Sequence, residues 1–88
     1  MNYLNLEGLV KEGKKFSRKK WNNEGIFIQY SIASYGVQAN QAAAKRWNMQ
    51  KGDMLKYAEN IQIKDEQGII NIYVPTVEDL CANDWYEV

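Results

Sequence analysis

Two alternating apolar segments, Ile61-Gln-Ile-Lys-Asp65 and Ile69-Ile-Asn-Ile-Tyr-Val74, meet across Asp65-Glu-Gln-Gly68 and constrain the fold more than any other stretch. Apolar β-branched residues at alternate positions suit a pleated strand with one greasy face. The loop between the two ends in Gly68, which accepts a positive φ without steric cost. Pro75 then closes the second strand, because it has no N–H to donate to a ladder. The chain is therefore expected to build an antiparallel sheet around this hairpin.

The flanking sequence supplies short helices and further strands. Residues 5–12 read as a helix with Asn5 as N-cap, an apolar face of Leu6, Leu9 and Val10, and Gly13 as its stop. Phe16–Arg18 suits a brief strand, and Asn22–Gly25 carries turn chemistry. Ile26–Ala33 is rich in β-branched and aromatic residues and predicts a strand. Ile26, Ile28, Tyr30 and Ile32 would share one face of it, leaving Phe27 on a second, partly exposed surface. Residues 39–50 predict a helix capped by Asn40, with consecutive alanines, and Gly52 as a stop. Ala43 and Trp47 lie four apart there, so Trp47 is expected to be a core anchor. Residues 52–58 fit no single pattern. Thr76 is an N-cap, with Asp79 three residues on, and Asn83-Asp84 ends that helix before a last strand, Trp85-Tyr-Glu-Val. The expectation is a single α+β domain over residues 1–88, with four or so antiparallel strands and short helices on one side.

A chain of 88 residues buries only about 60% of its unfolded surface, so oligomerisation would help it. Its three Trp and six Tyr outnumber its two Phe, a bias towards half-wet surfaces such as interfaces and ligand pockets. Formal net charge is zero, which argues against a binder of duplex nucleic acid. The charge is segregated, however. Lys11, Lys14, Lys15, Arg18, Lys19 and Lys20 crowd one stretch, whereas residues 65–88 hold Asp65, Glu66, Glu78, Asp79, Asp84, Glu87 and no base. That pattern is either a salt-balanced surface or a basic rim for a small anion.

Histidine is absent and Cys81 is the lone cysteine. Disulfides within the chain, Cys/His zinc sites and Cys-His or Ser-His nucleophile systems are thereby excluded, and no cofactor is implied. Cys81, between Leu80 and Ala82, is expected to be a small buried hydrophobe. No apolar run approaches the roughly 18 residues of a membrane span, and no signal-peptide core is visible, so a soluble cytoplasmic protein is expected.

The segment Arg18-Lys-Lys-Trp21-Asn-Asn-Glu-Gly25-Ile-Phe27 groups cations, an aromatic ring, amides and a glycine. A phosphate-bearing ligand with a flat base needs that grouping. The wider pattern Leu9-x-Lys-Glu-Gly13-Lys-Lys-Phe-x-Arg18-x-x-Trp21-Asn22-x-x-Gly25-x-Phe27 has a counterpart downstream. It is Asp65-x-x-Gly68-x-Ile-x-x-Tyr73-x-x-Thr76-x-x-Asp79-Leu80-x-Ala82-x-Asp84-Trp85. Together they resemble the Thoeris anti-defence 2 family of small phage proteins. The resemblance covers both ends of the chain, and its closing Asp-Leu-x-Ala-x-Asp-Trp is the most specific part. Residues 33–58 show no match.

The resemblance implies a homotetrameric sponge with ligand pockets at subunit boundaries, acting in the cytoplasm of an infected bacterium. Its ligand would be a cyclic ADP-ribose isomer, glycocyclic ADP-ribose, made by a bacterial TIR-domain protein. The sponge would hold it uncleaved, so that an NAD-depleting effector stays off. Some members also bind cyclic oligonucleotide signals. By the same resemblance Trp21 stacks on adenine or plugs the sheet edge. Arg18 meets a pyrophosphate oxygen or pairs with Asp84, and Asp84 binds ribose hydroxyls or that arginine. Asn22 and Asn23 bond a ribose or make the turn, and Phe27 lines the pocket. Tyr73 stands where the family usually has tryptophan, and Thr76 where it has serine. Asp79, Leu80, Ala82 and Trp85 read as fold residues. Two other functions stay open: an enzyme degrading the same signal, and an interaction module that blocks a host enzyme. Glu78 and Asp79 fit the former poorly, since neighbours on a short helix point apart while glycosidic cleavage wants carboxyls facing across a bond.

Overall fold

A computed structural model describes residues 1–22 and 24–88. Apolar side chains at helical spacing start the chain. Tyr3, Leu6 and Val10 are buried along one stripe of α1 (Tyr3–Lys11). The helix begins before the expected Asn5 cap. Asn2 caps it instead, accepting from the Asn5 N–H at 3.1 Å. Burial of Tyr3 against Tyr73 and Trp85 adds a turn at the start that local propensity did not specify.

The main sheet has five strands: β1 (Phe16–Arg18), β2 (Phe27–Ser31), β5 (Asn60–Lys64), β6 (Ile70–Ile72) and β7 (Trp85–Glu87). Their order is β6-β5-β2-β1-β7, all antiparallel. The predicted hairpin forms β5 and β6, with Gly68 at φ +83° in its loop. Asp65 braces that loop by accepting from the N–H groups of Gln67 and Ile69, each at 2.9 Å. The predicted strands at residues 16–18 and 85–88 lie side by side, with Arg18 opposite Trp85.

The sheet has one covered face. Phe16 pairs with Ile28, and both are buried with Leu6, Val10, Tyr3 and Trp85. Helix α1 and the short α3 (Val77–Cys81) pack on this side. The capping of α3 agrees with expectation. Thr76 Oγ accepts from the Asp79 N–H, and the Asp79 carboxylate accepts from the Thr76 N–H, a reciprocal capping box. Two packing expectations fail on α3. Leu80 and Cys81 are exposed, because the helix turns the Asp79 side chain inward, and residues one and two places further on point elsewhere.

Between β2 and β5 the chain leaves the sheet to form an arm: β3 (Ser34–Gln38), α2 (Gln41–Arg46) and β4 (Met54–Tyr57). Among the described residues, strands β3 and β4 pair only with each other. The arm has its own small core of Ala39, Ala44 and Leu55, flanked by Ala43 and Met49. Its projection gives a radius of gyration of 16.1 Å, against about 12 Å for a compact chain of this length. Asn40 caps α2 as predicted, but the helix ends at Arg46 instead of reaching Gln50. Asn48 adopts a left-handed conformation, φ 53°, and reverses the chain before Gly52. Trp47 is consequently 59% exposed and is not a core anchor. A strand pair with one short helix is too thin to enclose an indole, and alanines fill its interior. Ile32 lies past the end of β2 and is exposed at the root of the arm.

Candidate functional site

Arginine at the end of β1 is the centre from which the site is built. Arg18 shares the covered side with Phe16, and only 5% of its surface meets solvent. A buried guanidinium requires partners. Its Nη1 donates to Asp79 Oδ1 at 2.8 Å and its Nε to Asp84 Oδ1 at 2.9 Å, with Glu78 Oε1 3.8 Å away. Asp84 also accepts from the Lys20 N–H at 3.1 Å, and Lys20 Nζ pairs with Glu78. The Arg18–Asp84 salt bridge, one of the two readings left open for these residues, is present.

The remaining oxygen of Asp79 accepts from the Tyr73 hydroxyl at 2.8 Å, and its backbone carbonyl accepts from the Trp85 indole N–H at 3.0 Å. Asp79 was expected only as a cap and helix-start charge. It is in addition the node joining α3, β1, β7 and Tyr73. No local pattern signals this, since Arg18 lies far away in sequence.

The charges are held firmly. Burial alone would raise the Asp79 carboxyl, but hydrogen bonds from Tyr73, Thr76 and Arg18 hold it below the usual carboxylate range. The hydrogen bond from Arg18, with help from the Lys20 N–H, lowers Asp84. Burial opposes the charge on Arg18, yet its bonds to Asp84 and Asp79 prevail and raise its pKa. Burial, then donation to Asp79, pushes the Tyr73 hydroxyl far above its ordinary value.

This network supports an aromatic wall. Trp21 closes a 3-10 turn (Lys19–Trp21) that follows directly from Arg18. It meets Trp85 edge-to-face, with ring centroids 5.3 Å apart and planes at 84°. Trp85 is buried whereas Trp21 is only half-buried, so part of the Trp21 ring faces solvent. Asn22 beside it is exposed and left-handed, φ 55°, which fits the turn role. Asn23 lies outside the described residues.

The structure thus brings together Arg18, Trp21, Tyr73 and Asp84, with Asn22 at their margin. Phe27 is not part of this group. It alternates with buried Ile28, and its side chain stands on the opposite, open face of the sheet. A further apolar surface escaped the sequence reading altogether. An open groove of about 540 Å³ on the arm is lined by Trp47, Met49, Met54, Leu55, Lys56 and Tyr57. The exposed tryptophan there carried no signal beyond its helical spacing from Ala43.

A Thoeris anti-defence 2-like domain matches residues 1–88, the whole of the chain. No curated protein matches it. Among the described residues, no helix is long and apolar enough to cross a membrane.

Proposed function

Since the chain belongs to the Thoeris anti-defence 2-like family, and so has an anti-defence role, we propose that it captures a cyclic ADP-ribose isomer such as glycocyclic ADP-ribose and holds it uncleaved. The observation that carries this reading is Trp21, fixed against Trp85 with part of its ring exposed beside the polar Asn22 turn. A base stacked there gains about 1 to 3 kcal/mol. Arg18, Asp79, Asp84 and Tyr73 act as positioning residues, since they are hydrogen-bonded to one another. Asn22 would meet the ribose. Capture without cleavage accords with carboxylates locked in the ionised form by an arginine, which are poor proton shuttles. The site of action would be the cytoplasm of an infected bacterium, where the TIR-domain enzyme makes the signal.

The test has two steps. Calorimetry with the purified isomer should give saturable heat, and heat denaturation of the complex should return the intact isomer to the supernatant. Linear product in that supernatant would establish an enzyme instead. Absence of heat with any ADP-ribose isomer or cyclic oligonucleotide would remove the sponge reading. Trp21→Ala, if folded, should bind about 5- to 150-fold more weakly, the equivalent of the lost stacking.

The arm supports a second part of this reading, assembly into a homo-oligomer. Tyr35, Val37, Trp47, Met54 and Tyr57 all sit exposed on it, more apolar surface than a lone small protein normally leaves in one region. Sedimentation of wild type should show a multimer, and Trp47→Glu should shift it towards monomer. A wild-type monomer would assign the arm to a host protein partner.

A further inference from the structure

Beyond the Trp21 wall, we infer that the open face of the sheet holds a second anion-binding element, in which Lys15 and Lys64 flank Phe27 and clasp the phosphate groups of a nucleotide-like ligand. The inference rests on the nucleotide-binding reading above, but on different residues.

The register fixes the geometry. Phe27 on β2 is opposite Lys64 on β5, and Lys64 is opposite Ile70 on β6. All lie on the face that α1 and α3 leave bare. Lys15 arrives from the residue before β1. Its Nζ and that of Lys64 each stand 5.3 Å from the centroid of the Phe27 ring. Both ammonium groups are therefore gathered at one aromatic ring.

Their lack of carboxylate partners sets them apart from Lys14, Lys20 and Arg18, and their shared contact with one ring sets them apart from Lys11 and Lys19, which pair with no acid either among the described residues. Lys14 pairs with Glu87, Lys20 with Glu78, and Arg18 with Asp79 and Asp84. Among the described residues, Lys15 and Lys64 pair with no acid. Lys64 donates to the Gly25 carbonyl at 3.0 Å, and that single bond leaves two of its three donors. The acids closest in sequence do not compensate. Asp65, next to Lys64, turns its carboxylate to the N–H groups of Gln67 and Ile69, and Glu24 raises the neighbouring Glu66 carboxyl above its usual value.

Two ammonium groups without counter-charge, held at one ring, are matched to an oxyanion with several acceptor oxygens, and a pyrophosphate or phosphodiester is the simplest. The cation–ring contacts are weak at exposed positions and yield readily to phosphate. Gln29 and Gln62, paired in the next row of the same face, add amide donors and acceptors for a sugar or base edge. Ser17 is buried between β2 and β7, its hydroxyl donating to Ile26 O at 2.6 Å, so a small residue lies beside the ring.

The experiment uses ADP-ribose as a pyrophosphate probe, adenosine as its phosphate-free control, and the cyclic isomer, all followed by amide chemical shifts. ADP-ribose should perturb residues 15–17, 27 and 62–64, and adenosine should not. The Lys15→Ala/Lys64→Ala variant should weaken ADP-ribose binding by about tenfold or more and keep the wild-type Tm. Unchanged affinity in that variant, or shifts confined to residues 18–22 and 84, would overturn the inference. If the cyclic isomer binds yet the double variant is indifferent, this element fails and the sponge reading stands. If the cyclic isomer fails to bind while ADP-ribose perturbs the open face, the reverse holds. Binding of neither removes both.

Discussion

Replacing Arg18 by methionine isolates the electrostatic centre of the protein. The substitution keeps a long side chain of similar reach and removes the guanidinium. Asp79 would lose its bond at 2.8 Å while remaining nine-tenths out of solvent, and would keep the Tyr73 and Thr76 donors. Asp84, with 29% of its side chain exposed, can turn to water and retains the Lys20 N–H. Removing one partner of a buried pair costs about 3–5 kcal/mol. The partial relief at Asp84 places this case near the lower end, about 3 kcal/mol. A domain of this length has about 4–13 kcal/mol in all, so urea unfolding should show a large fall in midpoint, and Tm should drop by about 12–24 °C. The pair variant Arg18→Met/Asp79→Asn removes the orphaned charge as well and should recover about 1–2 kcal/mol relative to simple addition. A single variant within about 0.5 kcal/mol of wild type would refute the reasoning. If Arg18 touches ligand directly, Arg18→Met instead keeps its stability and loses affinity.

Acid should destabilise the protein through the same residues. Asp79 and Asp84 have folded pKa values below their unfolded ones, so between the two the unfolded chain binds more protons and stability rises with pH. Their contribution should be complete above about pH 5 and lost on titrating down through and below pH 4, as urea midpoints across that range would reveal. Tyr73 acts oppositely: its raised pKa gives stability present at neutral pH and lost in strong alkali, so Tyr73→Phe should flatten the decline above about pH 10. Gly68→Ala meets no neighbouring atom but forces an L side chain to φ +83°, and should cost about 1 kcal/mol by thermal unfolding.

Legibility followed sequence distance. The β5–β6 hairpin, the Thr76 cap and the Asn40 cap are encoded within a few residues, and all appear where the sequence placed them. Trp85, read as a fold residue through the resemblance, is in the core. Arg18 and Asp84 could be named as partners, but the burial that holds their pair could not be read, because burial is a property of the assembled sheet. The reach of Asp79 to Arg18 and Tyr73 was invisible for the same reason. Trp47 misled because helical spacing presumes a helix long enough to use it, and the left-handed Asn48 ends that helix early. Phe27 was assigned to a second surface by strand alternation, and the structure puts it there, apart from the Trp21 group with which the resemblance had placed it.

Ser31 and Asn60 are directly paired at the mouth of the arm. Topologically, then, everything from residue 32 to residue 59 is the loop of one β2–β5 hairpin. Such an insertion is modular: an Asn-Gly turn joining Ser31 to Asn60 would complete the sheet without it. Shortening the loop that far would return about 2 kcal/mol of closure entropy. The excised protein would carry the Trp21 wall and the Lys15–Phe27–Lys64 cluster without the apolar arm, so that the proposed capture and the proposed assembly could be assayed apart by a single deletion.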